Sequence, residues 1–230
     1  MKILAIDTSS KICSASILED NNVIIEKHTD DEKTHSQNLM PLVDMLFKES
    51  GLALDDMDLL SCCLGPGSFT GIRIGIATIK AFADAKNIPT AGVTSLESLA
   101  YNINKTGLIA SLIDAKNDNV YYSLFSFNGE KYSQIDEYKA DNIQNILDSL
   151  SIYDDEIIFV GDGSVVYKDL ILKLIKNPQF ASESENHQTS ISVGKSAYTK
   201  YQNGNYGDSN FLLPIYLKKS QAERQLDGEK

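Results

Sequence analysis

Hydrophobic and polar positions follow one another along the chain in two successive blocks that predict the same series of elements. Short apolar or alternating runs predict strands, and apolar residues three and four positions apart predict helices. In the first block, strands are predicted at residues 2–6, 13–19, 23–27, 59–64 and 90–93, and helices at 35–50, 71–86 and 95–101. In the second block, strands are predicted at 108–113, 120–127, 132–138 and 157–160, and helices at 141–150 and 165–175. Each block therefore begins with three strands, a helix, a strand, a glycine turn and a helix, and the first block adds the strand at 90–93 and the helix at 95–101.

Similar residues occupy equivalent places in the two blocks. Asp7 and Asp114 each end the first strand of a block, and Gly65-Pro66-Gly67 corresponds in position to Gly161-Asp162-Gly163. We therefore expect two tandem, pseudo-symmetric βββαβα lobes whose strand-end carboxylates open onto one cleft. This α/β arrangement is that of the actin-like, sugar-kinase-like ATPase (ASKHA) fold. The expected boundaries are 1–104 for the first lobe, 105–210 for the second and 211–230 for a C-terminal tail that packs back.

The segment Gly65-Pro66-Gly67-Ser68-Phe69-Thr70-Gly71-Ile72-Arg73-Ile74-Gly75 joins an apolar strand directly to a helix. Free N–H groups and the positive end of the helix dipole favour an anion at such a junction, commonly a phosphate. The segment is not a Walker A loop, because no lysine follows its last glycine, and Thr70 replaces the third small residue of a dinucleotide-binding loop. The alternative, that the glycines serve a sharp turn and close helix packing, is equally supported. Ser68 and Thr70 are interpreted as helix-capping residues.

The helices predicted at 71–86 and 35–50 carry more apolar surface than one sheet can cover. A stripe of isoleucines in the later helix suits packing on a sheet, and methionines spread the apolar surface of the earlier helix around its cylinder. We expect Gly75 to point away from the sheet, so that Gly75→Phe would block association and leave the fold intact. The predicted partner or dimer interface consists of His35, Leu39, Met40, Val43, Phe47, Gly71, Gly75, Thr78 and Phe82.

Composition and charge limit the classes of function. The chain has 230 residues, of which 42% are hydrophobic, enough for one large domain or two modest ones. Its net charge of −11 disfavours a large nucleic-acid-binding surface, which is usually basic. Cys13, Cys62 and Cys63 lack the spacing of a disulfide framework or zinc site, so we expect free thiols. No apolar run approaches the ~20 residues of a membrane span and no leader precedes Met1, so we expect a cytoplasmic protein without membrane contact.

Four segments of the chain together form a recognisable pattern: residues 65–75, Ile6-Asp7-Thr8-Ser9, Asp114-Ala115-Lys116 with Val120-Tyr121, and Leu213-Pro214-Ile215-Tyr216-Leu217. In these segments the chain resembles the bacterial TsaB (YeaZ) family. The resemblance spans nearly the whole chain and implies a non-catalytic scaffold or activating subunit. The implied complex transfers threonylcarbamoyl to N6 of adenosine 37 in tRNAs that read codons beginning with A. The implied partners are a TsaD-like catalytic subunit and a TsaE-like ATPase, with tRNA contacted only through the complex and a homodimer formed by the free chain.

The resemblance also implies that the catalytic metal belongs to the partner. TsaD-like proteins carry a metal-binding H-x-x-x-H motif, and Ser95 and Leu99 stand where its two histidines would be. Leucine cannot bind a metal, and a lone serine binds iron or zinc poorly. We therefore expect no metal and no cofactor on this chain, with ATP and metal held by the partner complex.

The first strand end lacks the usual phosphate-binding glycine of this fold. Actin-like ATPases place a glycine soon after the first Asp, but here Asp7 is followed by Thr8, Ser9 and Ser10. We therefore predict only a residual nucleotide cleft. Its candidate residues are Asp7, Thr8, Ser9, Asp114 and Lys116.

Three classes of function remain open for this sequence. The first is a non-catalytic partner subunit. The second is an independent actin-like ATPase or small-molecule kinase, which requires phosphate-binding glycines that the turn after Asp7 lacks. The third is a peptidase, for which neither a metal set nor a nucleophile with a His/Asp pair can be assembled. We expect the isolated chain to show no appreciable ATPase or peptidase activity.

Overall fold

The computed structural model describes residues 1–29 and 34–218, which form two mixed β-sheets and their covering helices. The strands of the first sheet are β1 (Lys2–Asp7), β2 (Cys13–Glu19), β3 (Asn22–Thr29), β4 (Leu59–Cys63) and β5 (Thr90–Val93). Those of the second are β6 (Gly107–Asp114), β7 (Asn119–Phe127), β8 (Tyr132–Gln134), β9 (Lys139–Asn142), β10 (Ile157–Val160) and β11 (Pro178–Phe180). The helices are α1 (His35–Ser50), α2 (Phe69–Lys86), α3 (Ser95–Ala100), α4 (Ile143–Leu150), α5 (Asp162–Val166), α6 (Lys168–Leu174) and α7 (Ser190–Gln202). Within the described residues, none of these helices combines the length and apolar character needed to cross a bilayer.

The two sheets have the same strand order and the same strand directions. The first runs β3-β2-β1-β4-β5, and the second runs β8-β7-β6-β10-β11 with β9 also paired to β7. The first strand of each sheet is antiparallel to the next strand in sequence, as β1 is to β2 and β6 is to β7. It is parallel to the strand that follows the first long helix, as β1 is to β4 and β6 is to β10. This equivalence confirms the predicted duplication of one α/β unit.

The first sheet is covered on both faces because alternate residues of each strand point to opposite sides. Leu4 and Ile6 of β1 lie in a core formed with α1 and α2. Ile3 and Ala5, between them in sequence, lie in a second core that includes Val193 of α7. A strand buried on both faces is a continuous hydrophobic run, and this run is the signal by which the sequence predicted β1.

Each lobe contributes a helix to the sheet of the other lobe. Helix α3 follows the first sheet in sequence, but its Leu96 and Leu99 lie in the core of the second sheet. Helix α7 follows the second sheet but packs on the first. The two helices meet at Glu97, whose carboxylate accepts a hydrogen bond from Ser196 Oγ at 2.7 Å and lies 2.9 Å from the Lys200 ammonium. The lobes are therefore joined by exchanged helices with a polar contact between them.

Three parts of the fold differ from the sequence prediction. The helix expected at 165–175 is two helices, α5 and α6, which meet at Tyr167. The strand expected at 132–138 ends at Gln134, and β9 occupies the residues where the next helix was expected to begin. Strand β11 and helix α7 have no counterpart in the prediction. The buried face of α7 consists of serine, glycine and alanine with one valine, so its sequence lacks the hydrophobic periodicity that indicates a helix.

The C-terminal tail expected at 211–230 is described as far as residue 218. Leu212 lies fully buried in the core beside α1 and α2. Leu217 packs against the core of the second sheet. The remainder of the tail, including the segment 220–230, lies outside the described residues.

Candidate functional site

Loops from both lobes meet at a cavity of about 380 Å³ near the carboxyl ends of the central strands. This edge of an α/β sheet is where ligands commonly bind. The cavity lies between the loops after β1 and β6 and the residues at the starts of α2 and α5. Its polar lining includes Ser9, Lys11, Ser68, Asp114, Lys116 and Asp162.

Asp114 lies at the wall of this cavity and is paired with Lys116. Its carboxylate accepts hydrogen bonds from the Lys116 backbone N–H at 3.0 Å and from the Lys116 ammonium at 2.5 Å. Lys116 also begins a left-handed turn, in which Lys116, Asn117 and Asp118 have φ values of 62°, 54° and 56°. Burial raises the pKa of Asp114, but the hydrogen bonds and charge of Lys116 outweigh it and hold the pKa below its ordinary value. Asp114 is therefore an ionised carboxylate that already has a cationic partner.

Asp162, at the start of α5, is a second carboxylate in the cavity, and the sequence analysis assigned it no role. Its Oδ1 accepts a hydrogen bond from the Asp114 backbone N–H at 2.9 Å. Burial raises the pKa of Asp162, and the nearby charge of Asp114 adds to that rise. The sequence signal that could have identified Asp162 is its position between two glycines directly after a buried strand. Lys11 and Gln188 also line the cavity, and Gln188 reaches it from a distant part of the chain that carried no motif.

Asp7 ends β1 at the position equivalent to Asp114, but it does not line the cavity. Its side chain is fully buried, and Oδ1 accepts hydrogen bonds from the Ser9 backbone N–H at 2.8 Å and from Ser9 Oγ at 2.7 Å. Oδ2 has no hydrogen-bond partner among the described residues. Burial raises the pKa of Asp7, although the hydrogen bonds from Ser9 oppose the rise. The expectation that both strand-end carboxylates open onto the cleft is therefore wrong for Asp7.

The loop after β1 is sealed by glycines of the segment 65–75. A Cβ atom at Gly71 would lie 2.0 Å from the Thr8 carbonyl oxygen, and one at Gly75 would lie 2.5 Å from Thr8 Oγ1. Thr8 Oγ1 in turn donates a hydrogen bond to the Gly71 carbonyl at 2.7 Å. These glycines allow α2 to approach β1 closely, as the packing interpretation of the segment predicted.

This loop does not fit a phosphate. The Ser9 N–H, which could bind an anion, is used by Asp7, and the Ser9 carbonyl accepts a hydrogen bond from the Ser68 N–H at 2.8 Å. Ser68 Oγ caps α2 by accepting a hydrogen bond from the Gly71 N–H at 3.2 Å. The Ser9 N–H and the Ser68 N–H are therefore both bonded within the protein and not free to bind an anion.

Several residues predicted for the partner interface face the inside of the first lobe. Leu39 and Val43 are in its core, and Gly71 and Gly75 are buried against Thr8. At about 100° per residue, Gly75 lies about 40° from the buried Ile79 and about 160° from Ala77 around the helix. The expectation that Gly75 points outward is therefore wrong, and the helical period of the sequence was sufficient to show it.

The remaining predicted interface residues differ in exposure. His35, Phe47, Thr78 and Phe82 are half-buried, and the His35 ring nitrogen Nε2 donates to the Ser10 carbonyl at 2.8 Å. Met40 is 49% exposed. Of the predicted interface residues, only Met40 is therefore largely available to a partner.

The exposed side of the two helices contains residues that the sequence analysis did not select. Helices α1 and α2 pack on the same core of the first lobe and contact each other, so their outward sides are neighbours. Small side chains at helical spacing on α2 allow another helix to approach closely, and methionines on α1 adapt to irregular surfaces. We call this surface the α1/α2 face, and it consists of Met40, Met45, Arg73, Ala77 and Ala81.

Ser95 and Leu99, the residues in place of a metal-binding histidine pair, are both fully buried. Ser95 Oγ donates to the Pro66 carbonyl at 2.6 Å and lies 3.0 Å from Cys63 Sγ. Leu99 belongs to the hydrophobic core of the second sheet. Burial raises the pKa of the Cys63 thiol to about 12. Within residues 1–29 and 34–218, no three His, Cys, Asp or Glu side chains are grouped as metal ligands.

The chain is similar in sequence and in structure to known proteins. Residues 24–226 match the family model described as TsaD: tRNA N6-adenosine threonylcarbamoyltransferase. The chain is 31% identical over 228 residues to the tRNA threonylcarbamoyladenosine biosynthesis protein TsaB of Bacillus subtilis (strain 168), covering 97% of this chain and 96% of that protein.

Two solved structures show the same fold. YeaZ from Pseudomonas aeruginosa superimposes with a TM-score of 0.80 at 23% identity, over 94% of this chain and 99% of that one. The ROK hexokinase from Thermus thermophilus superimposes with a TM-score of 0.54 at 8% identity, over 89% of this chain and 100% of that one. These similarities confirm the predicted actin-like, sugar-kinase-like fold class.

Proposed function

Since the chain belongs to the TsaB (YeaZ) family, which shares a family model with TsaD, we propose that it takes part in the biosynthesis of threonylcarbamoyladenosine in tRNA. Its role is that of a non-catalytic scaffold or activating subunit for a TsaD-like catalytic subunit. The complex modifies N6 of adenosine 37 in tRNAs that read codons beginning with A. A TsaE-like ATPase completes it in the cytoplasm, and this chain contacts tRNA only through the complex.

The observation that carries the non-catalytic role is the packing of Ser95 and Leu99. A metal site needs ligand atoms that converge on an open position, but Leu99 is a core side chain and Ser95 is bonded to Pro66. ATP and metal are therefore assigned to the partner complex. The sealed loop after Asp7 supports the same division, because the Ser9 N–H is bonded to Asp7.

The α1/α2 face supports the assignment of a protein partner. Ala77 and Ala81 are exposed one turn apart on α2, and Met40 and Met45 are 49% and 43% exposed on α1. A partner helix that packs between them would bury these side chains and gain hydrophobic stabilisation. The TsaD-like subunit is the proposed occupant. In its absence a second copy of this chain covers the face, so the free chain is a homodimer that the catalytic subunit displaces.

Reconstitution tests the proposed role. The organism's own TsaD-like and TsaE-like proteins, ATP, a threonylcarbamoyl donor and an unmodified tRNA are incubated with and without this chain. We expect modified adenosine, measured by mass spectrometry of digested tRNA, only when the chain is present. The chain alone should leave both tRNA and ATP unchanged. Full modification without it would overturn the proposal.

A substitution on the α1/α2 face tests the partner site. Ala77→Glu places a charge at the centre of a surface that must lose water on binding, so we expect affinity for the TsaD-like subunit to fall about 10-fold or more, equivalent to ~1.4 kcal/mol. The homodimer should weaken as well. Isothermal titration calorimetry measures the first effect, and sedimentation equilibrium measures the second.

The matched control for Ala77→Glu is Ile152→Glu. Ile152 is 77% exposed and follows α4 in the second lobe, so the same charge is added to an apolar surface position outside the face. Circular dichroism establishes that both variants are folded. Equal affinity of the two variants for the TsaD-like subunit would place the interface elsewhere on the molecule.

The alternative function is an independent ATPase or small-molecule kinase, and the cavity with Asp114 and Asp162 is the observation in its favour. Against it, Asp114 is already paired with Lys116, and the loop after β1 does not fit a phosphate. ATP turnover by the isolated chain, compared with Asp114→Asn, separates the two functions. Turnover that disappears in the variant would establish the enzyme.

A further inference from the structure

Residues 212–218 form a C-terminal segment, here called the strap, that runs from the first lobe to the second. At its start, Leu212 is fully buried in the first-lobe core. In its middle, the Ile215 N–H donates to the Leu64 carbonyl at 2.8 Å, just after β4. The first half of the strap is therefore attached to the first lobe by both a core side chain and a backbone hydrogen bond.

The middle of the strap also contacts α2. The Tyr216 ring stacks on Phe69, with centroids 4.5 Å apart and planes inclined by 4°. Arg73 Nε donates to the Tyr216 hydroxyl at 2.8 Å. These contacts lie in the first turns of α2, directly after Ser68 of the cavity wall. They determine the direction in which the chain leaves the first lobe.

The end of the strap is attached to the second lobe. Leu217 packs against the second-sheet core that contains Leu99 and Ile113. The Lys218 ammonium donates to the Ala115 carbonyl at 3.3 Å and lies 5.8 Å from the centre of the Tyr121 ring. Ala115 and Tyr121 both line the cavity. A seven-residue strap thus joins the two walls of the cavity through contacts on each lobe.

We propose that the strap is a clamp that fixes the separation of the two lobes at the cavity. If the lobes moved apart, either Leu217 would leave the second-lobe core or Ile215 would leave Leu64, and each loss exposes apolar surface or a backbone polar group. The exchanged helices α3 and α7 already join the lobes at one place. The strap joins them at another, beside the cavity, so the lobes are held together at two points. The inference does not depend on the proposed function.

The lobe separation is measured with spin labels on the full-length chain. The native cysteines are buried, with exposures of 0% for Cys13 and Cys62 and 1% for Cys63. Labels therefore attach selectively to Thr70→Cys on α2 and Val166→Cys on α5, both exposed positions outside the strap. Double electron–electron resonance gives the distance distribution between the two lobes.

The test variant is Leu217→Ser and its matched control is Leu213→Ser. Both change a leucine of the strap, but Leu213 is 64% exposed, whereas Leu217 packs against the second-lobe core. We expect Leu217→Ser to lengthen the mean distance by more than about 2 Å, the scale of a domain rearrangement, and to broaden the distribution. Leu213→Ser should reproduce the parent distribution.

A second variant covers the case in which Leu217→Ser does not fold. Lys218→Met keeps a flexible side chain of similar length and removes the ammonium that contacts Ala115 and Tyr121. It should increase hydrogen exchange in the cavity segment 113–121 and leave the β1 segment at the parent rate. If the folded Leu217→Ser and Leu213→Ser variants give the same distribution, or if Lys218→Met leaves exchange at 113–121 unchanged, the clamp is disproved.

Discussion

The ends of β1 and β6 occupy the same place in two sheets of identical topology, yet their carboxylates have opposite environments. Asp7 is fully buried, its Oδ1 accepts hydrogen bonds from Ser9, and burial raises its pKa. Asp114 lies at the cavity wall beside Lys116, and the net effect of burial and that lysine lowers its pKa. A shared strand topology therefore places two carboxylates equivalently without giving them equivalent chemistry.

The packing of the following loop accounts for the difference. After β1, Gly71 and Gly75 bring α2 against Thr8, and the loop closes over Asp7. After β6, the left-handed turn that begins at Lys116 directs the chain outward, and the lysine returns to the carboxylate. Close helix packing converts one strand end into core, whereas the other lines the cavity, with its carboxylate paired to a solvent-exposed lysine.

The largest expected effect comes from breaking the close packing at the end of β1. Gly75→Phe forces a ring into the space of Thr8, since even a Cβ would lie 2.5 Å from Thr8 Oγ1. We expect a loss of at least ~3 kcal/mol of unfolding free energy, as for severe overpacking, measured by urea denaturation. Ala77→Phe, on the exposed side of the same helix, is the control and should change stability by less than about 0.5 kcal/mol. Equal stability of the two variants would contradict this orientation of α2.

A smaller effect is expected from removing the charge of Asp7. Because the folded pKa is raised, the folded chain holds this proton more tightly than the unfolded chain. Folding stability therefore falls as pH rises from near the ordinary value of 3.8 through the raised pKa. Asp7→Asn keeps an oxygen for Ser9 and cannot ionise, so we expect its stability to rise relative to that of the parent across that interval. Urea denaturation from mildly acidic to neutral pH tests this, and parallel stability curves would refute it.

The smallest effect is expected at Asp114, with the opposite dependence on pH. Its lowered pKa means that the stabilisation is present above the ordinary value of 3.8 and is lost as pH falls through the lowered value. Asp114→Asn should therefore cost less than about 1 kcal/mol near neutral pH, because the partner Lys116 is solvent-exposed. The same denaturation series should show this cost shrinking on acidification and in high salt. If the loss of unfolding free energy in Asp114→Asn grew on acidification, the ion pair between Asp114 and Lys116 would not be its cause.

The sequence predicted elements with strong periodicity closely and those with weak periodicity poorly. Helix α1 and strand β2 have the predicted bounds because their apolar residues repeat at the period of the element. Strands β5 and β10 also have the predicted bounds, because each is a short buried run between turns. Helix α7 escaped detection because small and polar residues form its buried face. Its glycine, Gly194, would bring a Cβ within 2.4 Å of Leu18, so this helix is identified by how closely it packs.

The candidate cavity was predicted in part. Asp114, Lys116 and Ser9 of the predicted set line it, because the carboxyl ends of central strands meet at one edge of an α/β fold. Their role in binding a nucleotide stays a prediction. Asp162 and Gln188 were missed. Asp162 lines the cavity because α5 begins there, and Gln188 lines it because a segment distant in sequence folds back to the cavity. Neither placement follows from the local sequence pattern.

The sequence by itself determined the repeated α/β unit, the family and the positions of the strand-end residues, because these depend on local periodicity and on motifs within continuous segments. Tertiary structure alone decided that Asp7 is sealed and that the strap reaches the second lobe. It also selected which sides of α1 and α2 remain exposed. The physical reason is that the burial of a side chain depends on which distant residue occupies the space beside it. Thr8 faces Gly75 only because a helix and a strand far apart in sequence pack in close contact.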